Sequence, residues 1–245
     1  MKLKMTLPTI VFVHGAGGGA WEWEFWQAIF EARGWDTLAG DLMPVGSGIA
    51  ETQVDDYVEQ IISWLDTAQL QEPPFLIGVS MAGPLVLKAM ETVEVSGVVL
   101  INSLPVQGVQ GWPASRVQFP NKIPWAAKGL AGHSLEKMPD YDEAVASLVA
   151  ESWRDESGAV LNILYEGLEV AYPQCPALVV AGREDEDIPY DLSVALAEFL
   201  EADLVLLQGV SHLGALLGHR AEDVAHLVAE WVETVVVDQN ELGIV

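Results

Sequence analysis

The stretch that most constrains the fold is residues 75–87, with the sequence FLIGVSMAGPLVL. An apolar run ends at Gly78, Ser80 follows, and a second apolar segment from Leu85 to Met90 has helical character. Small residues, Gly78 and Ala82, lie two positions to either side of the serine. This pattern is typical of a strand that turns sharply into a helix and holds one side chain out at a strained bend. The sequence therefore predicts that Ser80 follows a buried strand.

A serine at such a bend is a candidate nucleophile. The next residue, Met81, opens the predicted helix, so its free N–H points toward the hydroxyl and can bind a developing oxyanion. If Met81 is the first helical position, Pro84 is the fourth, where no intrahelical donor is yet required. The common motif G-x-S-x-G has Ala82 at its last position here, and alanine has the smallest side chain after glycine. An ordinary tight turn is the alternative, so support must come from elsewhere in the chain.

Strands and helices alternate along the rest of the chain. The sequence predicts further strands over 9–13, 35–39, 95–101, 177–181 and 204–207, and helices over 21–33, 51–70, 141–153, 192–200 and 222–236. This order predicts an α/β fold, with a mostly parallel sheet of about six strands and helices on both faces. Residues 104–173 lack strand runs, and we expect a helical cap inserted into a core of residues 1–103 and 174–245. The alternative is a helical decoration with no role in the site.

The charge balance excludes several classes of partner. The chain has 36 acidic and 11 basic residues, a net charge of −25, and 51% apolar residues. Nucleic acid and anionic membranes require positive charge, so we expect neither as a partner. No apolar run approaches the roughly 18 residues of a membrane span, and one cysteine, Cys175, excludes an intrachain disulfide. We expect a cytoplasmic protein that acts on a small molecule without metal or cofactor; the sequence leaves its oligomeric state open.

A serine nucleophile needs a base and an acid that orients the base. Of the five histidines, only His212 lies in a short loop between the last predicted strand and the last predicted helix, whereas His133 lies in the predicted cap. The loop after strand 177–181 carries three competing carboxylates, and a solvated acidic turn is the alternative there. These are Glu184, Asp185 and Asp187. His212 is therefore the candidate base, with the acid among these three.

A second oxyanion donor is expected from the loop after the first strand. Residues 14–20, HGAGGGA, contain four glycines, so the backbone can approach a substrate closely. We place the Ala16 N–H beside the Met81 N–H as the second donor.

Four motifs together resemble the α/β-hydrolase superfamily. In chain order they are His14-Gly15, Gly78-Val79-Ser80-Met81-Ala82-Gly83, Gly182-Arg183-Glu184-Asp185 and Ser211-His212. The order nucleophile, acid, histidine is typical of that superfamily among serine hydrolases. The resemblance covers roughly residues 8–103 and 174–237 and implies that the insertion is the variable cap. It also favours Asp185 over Asp187, because the family's acid commonly lies three residues after the glycine that closes its strand.

The loop at residues 14–23 is most similar to the branch that holds small methylesterases and hydroxynitrile lyases. The related lyases have a lysine after the catalytic histidine, which handles the cyanide group. This chain has Leu213 at that position, and an apolar side chain cannot supply the charge. The difference favours hydrolysis over lyase chemistry.

The sequence thus predicts a carboxylesterase-like serine hydrolase that cleaves a neutral, apolar ester through an acyl-enzyme. Ser80 is the nucleophile, His212 the base and Asp185 the orienting acid, and the N–H groups of Ala16 and Met81 bind the oxyanion. The predicted cap is rich in tryptophan, which indicates a hydrophobic substrate: Trp112, Trp125 and Trp153. Carbon–carbon bond hydrolysis, thioesterase, lactonase and lyase activities are alternatives, because a change of pocket shape around the same side chains could give them.

Two alternatives come from other functional classes. The loop Gly15–Ala20 satisfies the dinucleotide-binding pattern G-x-G-x-x-A after a strand, and Asp41 ends the next strand. Against it, Trp21, Glu22 and Trp23 crowd the place where a pyrophosphate needs room, and an acid there would repel phosphate. The other alternative is the same fold in a binding role without catalysis.

Overall fold

A parallel six-stranded sheet lies at the centre of the protein. The computed structural model describes residues 7–112, 118–126 and 139–242. The strands are β1 (Ile10–Val13), β2 (Thr37–Gly40), β3 (Phe75–Val79), β4 (Gly97–Ile101), β5 (Lys122–Ile123), β6 (Glu156–Ser157), β7 (Ala177–Gly182) and β8 (Asp203–Leu207). The sheet has the order β2-β1-β3-β4-β7-β8, while β5 and β6 form a separate antiparallel pair. The predicted six-stranded sheet is confirmed.

Helices cover both faces of this sheet. They are α1 (Glu24–Ala32), α2 (Val54–Ala68), α3 (Ala82–Ala89), α4 (Glu143–Ser152), α5 (Gly158–Glu166), α6 (Tyr190–Leu200), α7 (Gly214–Leu217) and α8 (Ala221–Leu242). One face packs side chains such as Val11, Leu76 and Val179 with α2, α3 and α6. The other face packs Phe12 and Ile77 with α1 and α8. Alternate strand residues thus enter opposite cores, as strand geometry requires.

The chain direction places all the candidate residues at one edge of the sheet. Strands β1 and β3 are neighbours, but the chain goes outward to β2 before it returns to β3. Ligands bind at such a switch point, outside the carboxyl ends of the strands. The loops after β1, β3, β4, β7 and β8 all begin at this edge.

An aromatic cluster fixes the start of α1 beside the first loop. Phe12 stacks on Trp23 with ring centroids 4.9 Å apart, and Trp23 meets Trp26 edge to face at 5.5 Å. Phe30 closes the cluster against Phe12 at 5.5 Å. These four side chains are fully buried and hold the 3₁₀ turn Ala20–Trp23 in place. The turn lies beside residues 14–20, here called the glycine loop.

Several predicted boundaries differ from the observed ones because hydrogen bonds at the ends of helices decide them. The strand predicted from residue 35 begins at Thr37, because the Trp35 N–H donates to the Phe30 carbonyl and closes α1. The helix predicted from residue 51 begins at Val54, where the Asp56 carboxylate accepts the Gln53 N–H. Helix α3 begins at Ala82, one residue later than predicted, and α8 continues to Leu242.

The segment between β4 and β7 contains α4, α5 and the β5–β6 pair in its described part. Trp125 and Trp153 meet with ring centroids 6.3 Å apart, and Trp112 meets Tyr165 at 5.2 Å. His133 lies outside the described residues. The division into a core and a cap over residues 104–173 stays a prediction.

Candidate active site

Ser80 lies at a strained turn between β3 and α3. Its φ is 54°, in the left-handed region that side chains other than glycine adopt at a cost. Small neighbours permit the turn: a Cβ at Gly78 would lie 3.0 Å from the Ala82 backbone, and one at Gly83 would overlap the Ser103 hydroxyl. The Ser80 N–H donates to the Ile101 carbonyl at 3.0 Å, which ties the turn to β4.

His212 lies between the serine and an acid. Its Nε2 is 2.9 Å from Ser80 Oγ, and its Nδ1 is 2.7 Å from Asp185 Oδ2. A carboxylate accepts a hydrogen bond, so Nδ1 carries the proton and Nε2 presents its lone pair to the hydroxyl. The structure therefore brings the three side chains together in the order that proton transfer from the serine requires.

Asp185 is the carboxylate of its loop that touches His212. Its side chain is buried, and Oδ1 accepts the N–H groups of Asp187 and Ile188, each at 2.8 Å. Glu184 points elsewhere, because its Oε2 accepts the Val210 N–H at 3.0 Å and ties this loop to the end of β8. Asp187 lies in the wall of the adjoining cavity.

The charge around His212 favours its protonated form. Burial alone lowers the pKa of the imidazole, but the charge and hydrogen bond of Asp185, with a smaller effect of the Asp187 charge, raise the pKa above its ordinary value. An imidazolium formed during a reaction is therefore stabilised at this position.

Both predicted oxyanion donors lie close to the serine in sequence or space. Within residues 7–112, 118–126 and 139–242, the N–H groups of Ala16 and Met81 bind no acceptor. Met81 directly precedes α3, and Ala16 lines the cavity that contains Ser80. Gly15 packs so closely that a Cβ there would be 3.3 Å from the Ser80 Cβ. The glycine loop and the serine turn thus form one wall.

Residues 153–156, here called the 153–156 segment, hold the glycine loop in shape. Trp153 Nε1 donates to the Ala16 carbonyl at 3.2 Å, and the Arg154 N–H donates to the Gly17 carbonyl at 2.7 Å. The Glu156 carboxylate accepts the Gly17 N–H at 2.9 Å, and the Arg154 guanidinium donates to the Gly18 carbonyl. The sequence did not predict the contact between the 153–156 segment and the glycine loop, because no periodic pattern links two segments so far apart in the chain.

His14 stabilises the same loop from inside. Its Nε2 accepts the Leu42 N–H at 2.8 Å, so the proton resides on Nδ1, which donates to the Gly15 carbonyl at 2.7 Å. Burial, with a smaller contribution from Arg154, lowers the pKa of His14 to about 4. His14 is therefore neutral and serves the loop.

Asn102 joins the loops that carry the acid and the histidine. It follows β4 with a φ of 42°. Its side-chain amide donates to the carbonyls of Ser211 and His212 at 3.1 and 2.6 Å and accepts the Gly182 N–H at 2.7 Å. A lone asparagine after a strand gave no sequence signal for this role.

A cavity of about 240 Å³ adjoins Ser80 and His212. Its apolar lining comes from both sides of the site: Leu104, Phe119, Trp125, Trp153, Leu161 and Leu213. Two acids, Glu22 and Asp187, also line it. Burial raises the pKa of Glu22 to about 8, against opposing effects of a Gly15 hydrogen bond, Arg154 and His212. A neutral, mainly apolar small molecule fits such a cavity.

A larger groove of about 740 Å³ lies at the opposite edge of the sheet, beside Val95, Pro176 and Asp203. It contains none of the candidate residues. Cys175 lines it and is half-buried, and burial raises the pKa of its thiol to about 11, so the thiol stays protonated at neutral pH. We base the site on the smaller cavity, because the converging polar groups are there.

The described part of the chain contains neither a cluster of metal-binding side chains nor a membrane-spanning helix. Residues 7–112, 118–126 and 139–242 contain no group of three or more histidine, cysteine or acidic side chains that could hold a metal ion. Over those residues, no helix has both the length and the apolar character needed to cross a bilayer.

Comparison with known proteins identifies the family to which the chain belongs. The model of the alpha/beta hydrolase family matches residues 10–227. A chloroplastic protein of Arabidopsis thaliana, candidate methylesterase 15, is 33% identical over 87 residues, which are 33% of this chain and 19% of that protein. The match thus spans about a fifth of that relative's length.

Solved structures of similar fold include two esterases. Methylesterase protein MES16 from Arabidopsis superposes with a TM-score of 0.69 and 18% identity, over 91% of this chain and 98% of that one. Polyneuridine aldehyde esterase superposes with a TM-score of 0.68 and 18% identity, over 91% and 98% of the two chains. At these identities the likeness shows the fold, and the predicted α/β-hydrolase fold is confirmed.

Proposed function

The chain belongs to the alpha/beta hydrolase family, and we propose that it is a serine hydrolase that cleaves a neutral, largely apolar carboxylic ester. The observation that carries the proposal is the continuous hydrogen-bond chain from Ser80 through His212 to Asp185, with atoms 2.9 and 2.7 Å apart. A nucleophile within reach of a base, and a base oriented by a third group, is the geometry that activates a hydroxyl.

In the first half of the proposed reaction, Ser80 Oγ attacks the ester carbonyl carbon while its proton moves to His212 Nε2. Asp185 keeps the imidazole in the required tautomer and stabilises the imidazolium. The carbonyl oxygen becomes an oxyanion, which the N–H groups of Ala16 and Met81 bind. The intermediate collapses, the bond to the alkoxy oxygen breaks, and His212 returns the proton so that an alcohol leaves. The acyl group remains on Ser80.

In the second half, water replaces the alcohol. His212 Nε2 accepts a proton from the water as its oxygen attacks the acyl carbon, and the same two N–H groups bind the new oxyanion. Collapse breaks the bond to Ser80 Oγ, which takes the proton back from His212, and a carboxylic acid leaves. Each residue is then in its starting state.

The character of the cavity supports an ester without charge. Most of the side chains that line it are apolar, and one of them is Leu213, the residue after the histidine. Two proteins of similar fold, methylesterase protein MES16 and polyneuridine aldehyde esterase, are by name esterases. Since Leu213 has no charge to offer a cyanide group, the lining favours hydrolysis over lyase chemistry.

The glycine loop is poorly suited to a dinucleotide. A pyrophosphate binds to free N–H groups of such a loop. Here the Gly17 N–H already donates to Glu156 and the Ala20 N–H donates to Asp41, at 2.9 and 2.7 Å. Carboxylates occupy the donors that phosphate oxygens would need.

The proposal is tested by assaying a series of p-nitrophenyl esters of increasing acyl length with the protein and with Ser80→Ala. We expect hydrolysis of uncharged short and medium chains, and a loss of about 10⁶-fold in kcat in the variant, as for a well-studied triad serine. Hydrolysis that survives the substitution, or a strong preference for anionic esters, would contradict the proposal.

A further inference from the structure

A second acid lies in the wall of the proposed active site. Glu22 belongs to the 3₁₀ turn Ala20–Trp23, is only 2% exposed, and lines the same cavity as Ser80 and His212. Its carboxyl lies against the glycine loop, since a Cβ at Gly18 would overlap Glu22 Oε1. The acid therefore lies in the part of the cavity wall that adjoins the glycine loop.

One oxygen of this carboxyl has no partner among the described residues. Glu22 Oε2 is buried and has no hydrogen-bond partner within the described part of the chain. Besides burial, the charges of Arg154, His212 and Asp41 shift the pKa of Glu22, and a hydrogen bond from the Gly15 backbone lowers it. A buried polar atom without a partner is destabilising, and a ligand can remove that cost by bonding to it.

Burial also decides which form of the carboxyl a ligand meets. Because desolvation raises the pKa of Glu22 to about 8, the acid carries its proton at neutral pH. A protonated carboxyl has an O–H donor, which an ionised one lacks. In a cavity lined mainly by apolar side chains, this donor is a polar anchor.

We propose that Glu22, as a neutral acid, donates a hydrogen bond to an oxygen of the substrate other than the scissile ester group. The preferred substrate is then a neutral ester that also carries an ether, hydroxyl or keto oxygen. The inference rests on the proposed hydrolase function and narrows its substrate class. Glu22 acts as a specificity residue, and Ser80, His212 and Asp185 retain their proposed roles.

The test compares esters of equal size that differ by one oxygen. One pair differs in the acyl half, p-nitrophenyl methoxyacetate against p-nitrophenyl butyrate. The other pair differs in the alcohol half, 2-methoxyethyl butyrate against butyl butyrate. For each pair, the ratio of kcat/KM for the oxygen-bearing ester to that for its partner is corrected for the ratio of their rates in buffer alone.

We expect Glu22→Leu to lower this corrected ratio by about tenfold in at least one pair, because it removes the donor. Glu22→Gln should retain most of the ratio, since its amide still donates. Glu24→Leu is the matched control: it makes the same substitution at an exposed position two residues away and should leave the ratio unchanged. A ratio equal to that of the unmodified protein in folded Glu22→Leu, for both pairs, would overturn the inference.

The dependence on pH provides a second measurement that needs no altered fold. As pH rises from 7 through 8 to 9.5, Glu22 loses its proton and its donor, so the corrected ratio of the unmodified protein should fall. His212 titrates equally for both esters of a pair and cancels from the ratio. The ratio in Glu22→Gln should not change with pH. A ratio that rises with pH, or a preference for esters of amino alcohols, would show that the ionised carboxylate recognises a cation and would overturn the inference.

Failure of the inference is distinguishable from failure of the proposed function. A fluorophosphonate probe that labels Ser80, together with cleavage of either partner ester, establishes the hydrolase; an unchanged ratio in Glu22→Leu then rejects only the role of Glu22. If Ser80 is not labelled and no ester is cleaved, the proposed function fails and the inference fails with it.

Discussion

Ser80 and His212 are 132 positions apart, and His212 and Asp185 are 27 apart, yet each pair is within hydrogen-bond distance. Each residue follows a strand of one parallel sheet, and parallel strands end at a common edge. The positions of these residues were predictable because a strand followed by a small-residue turn has a sequence signal. Their mutual contact was an inference from topology.

The neighbouring acids Asp185 and Asp187 provide a matched comparison. Asp185→Asn keeps the shape of the side chain, but it lets the His212 imidazole adopt the wrong tautomer, with its proton on Nε2 instead of Nδ1. We therefore expect kcat to fall by about 10⁴-fold. Asp187→Asn should change kcat by less than about tenfold, because Asp185 accepts the backbone N–H of Asp187, which the substitution keeps. Steady-state kinetics on one p-nitrophenyl ester measures both. Equal losses would show that Asp185 has no special part.

The pH dependence of kcat/KM reports His212. The base must be neutral to accept the serine proton, and Asp185 raises the pKa of His212 above its ordinary value. Activity should therefore be low at acid pH and rise through a midpoint above 6.5. In Asp185→Asn the midpoint should move to lower pH, because the stabilising carboxylate is gone. A midpoint well below 6.5 in the unmodified protein would contradict this account.

Sequence reasoning could not find Glu22 or Asn102 as members of the site. Glu22 was recognised as an obstacle to a pyrophosphate, but its burial depends on the aromatic cluster that orients the turn. Asn102 bonds to backbone groups of two loops at 2.6 to 3.1 Å, and such contacts depend on how the loops fold. Residues that bond to backbone leave little trace in composition or periodicity.

At the scale of elements, apolar periodicity predicted the cores of helices and strands well. In α2, apolar residues recur at helical spacing, and all are buried except Ile62, which is half-buried: Val54, Tyr57, Val58, Ile61, Ile62 and Leu65. The ends were less predictable, because single hydrogen bonds such as that of the Trp35 N–H decide them. The attachment of the 153–156 segment to the glycine loop depends on backbone groups, which are the same for every sequence.

That attachment predicts an effect on turnover from a residue outside the chain of proton transfer. Glu156 is buried and accepts hydrogen bonds from Gly17 N–H, Tyr57 Oη and Ser157 N–H. Glu156→Gln replaces one acceptor oxygen with a donor, so one of these contacts is lost and the glycine loop shifts. We expect kcat to fall by about 10–10²-fold with little change in KM, since the loop supplies an oxyanion donor.

The control for this prediction is the adjacent acid. The Asp155 carboxylate pairs with Lys122 at 2.6 Å and accepts the Ala126 N–H at 3.0 Å, and neither partner belongs to the glycine loop, so Asp155→Asn should leave kcat within about twofold. Circular dichroism checks that both variants are folded. Unchanged kcat in folded Glu156→Gln would show that the 153–156 segment does not shape the oxyanion site.

At the scale of the whole molecule, charge is the main unexplained property. The chain has a net charge of −25, and its excess carboxylates repel one another across the surface. Composition predicted the net charge directly, but it contains no information on where in the fold the charges lie. Only a few of the described acids line the site. The proposed function needs the neutral cavity and not the charged surface.

Self-repulsion predicts that salt stabilises the fold. Raising NaCl from about 0.02 to 0.5 M shortens the screening length several-fold. If screening adds about 1–2 kcal/mol, Tm at pH 7.5 should rise by roughly 2–8 °C. The rise should be smaller at pH 5, closer to the pI of about 4.2, where less charge is present. Calorimetry at both pH values measures it, and a Tm that falls with salt at pH 7.5 would contradict the prediction.

The central claim is that His212 and Asp185 make the hydroxyl of Ser80 nucleophilic, and active-site labelling tests it most directly. The protein is treated with a fluorophosphonate at neutral pH, digested, and analysed by mass spectrometry to locate the adduct. The account predicts a single phosphonyl group on Ser80, labelling slowed by several orders of magnitude in His212→Ala, and none at that position in Ser80→Ala. A folded protein that stays unlabelled, or labelling that is equally fast in His212→Ala, would contradict it.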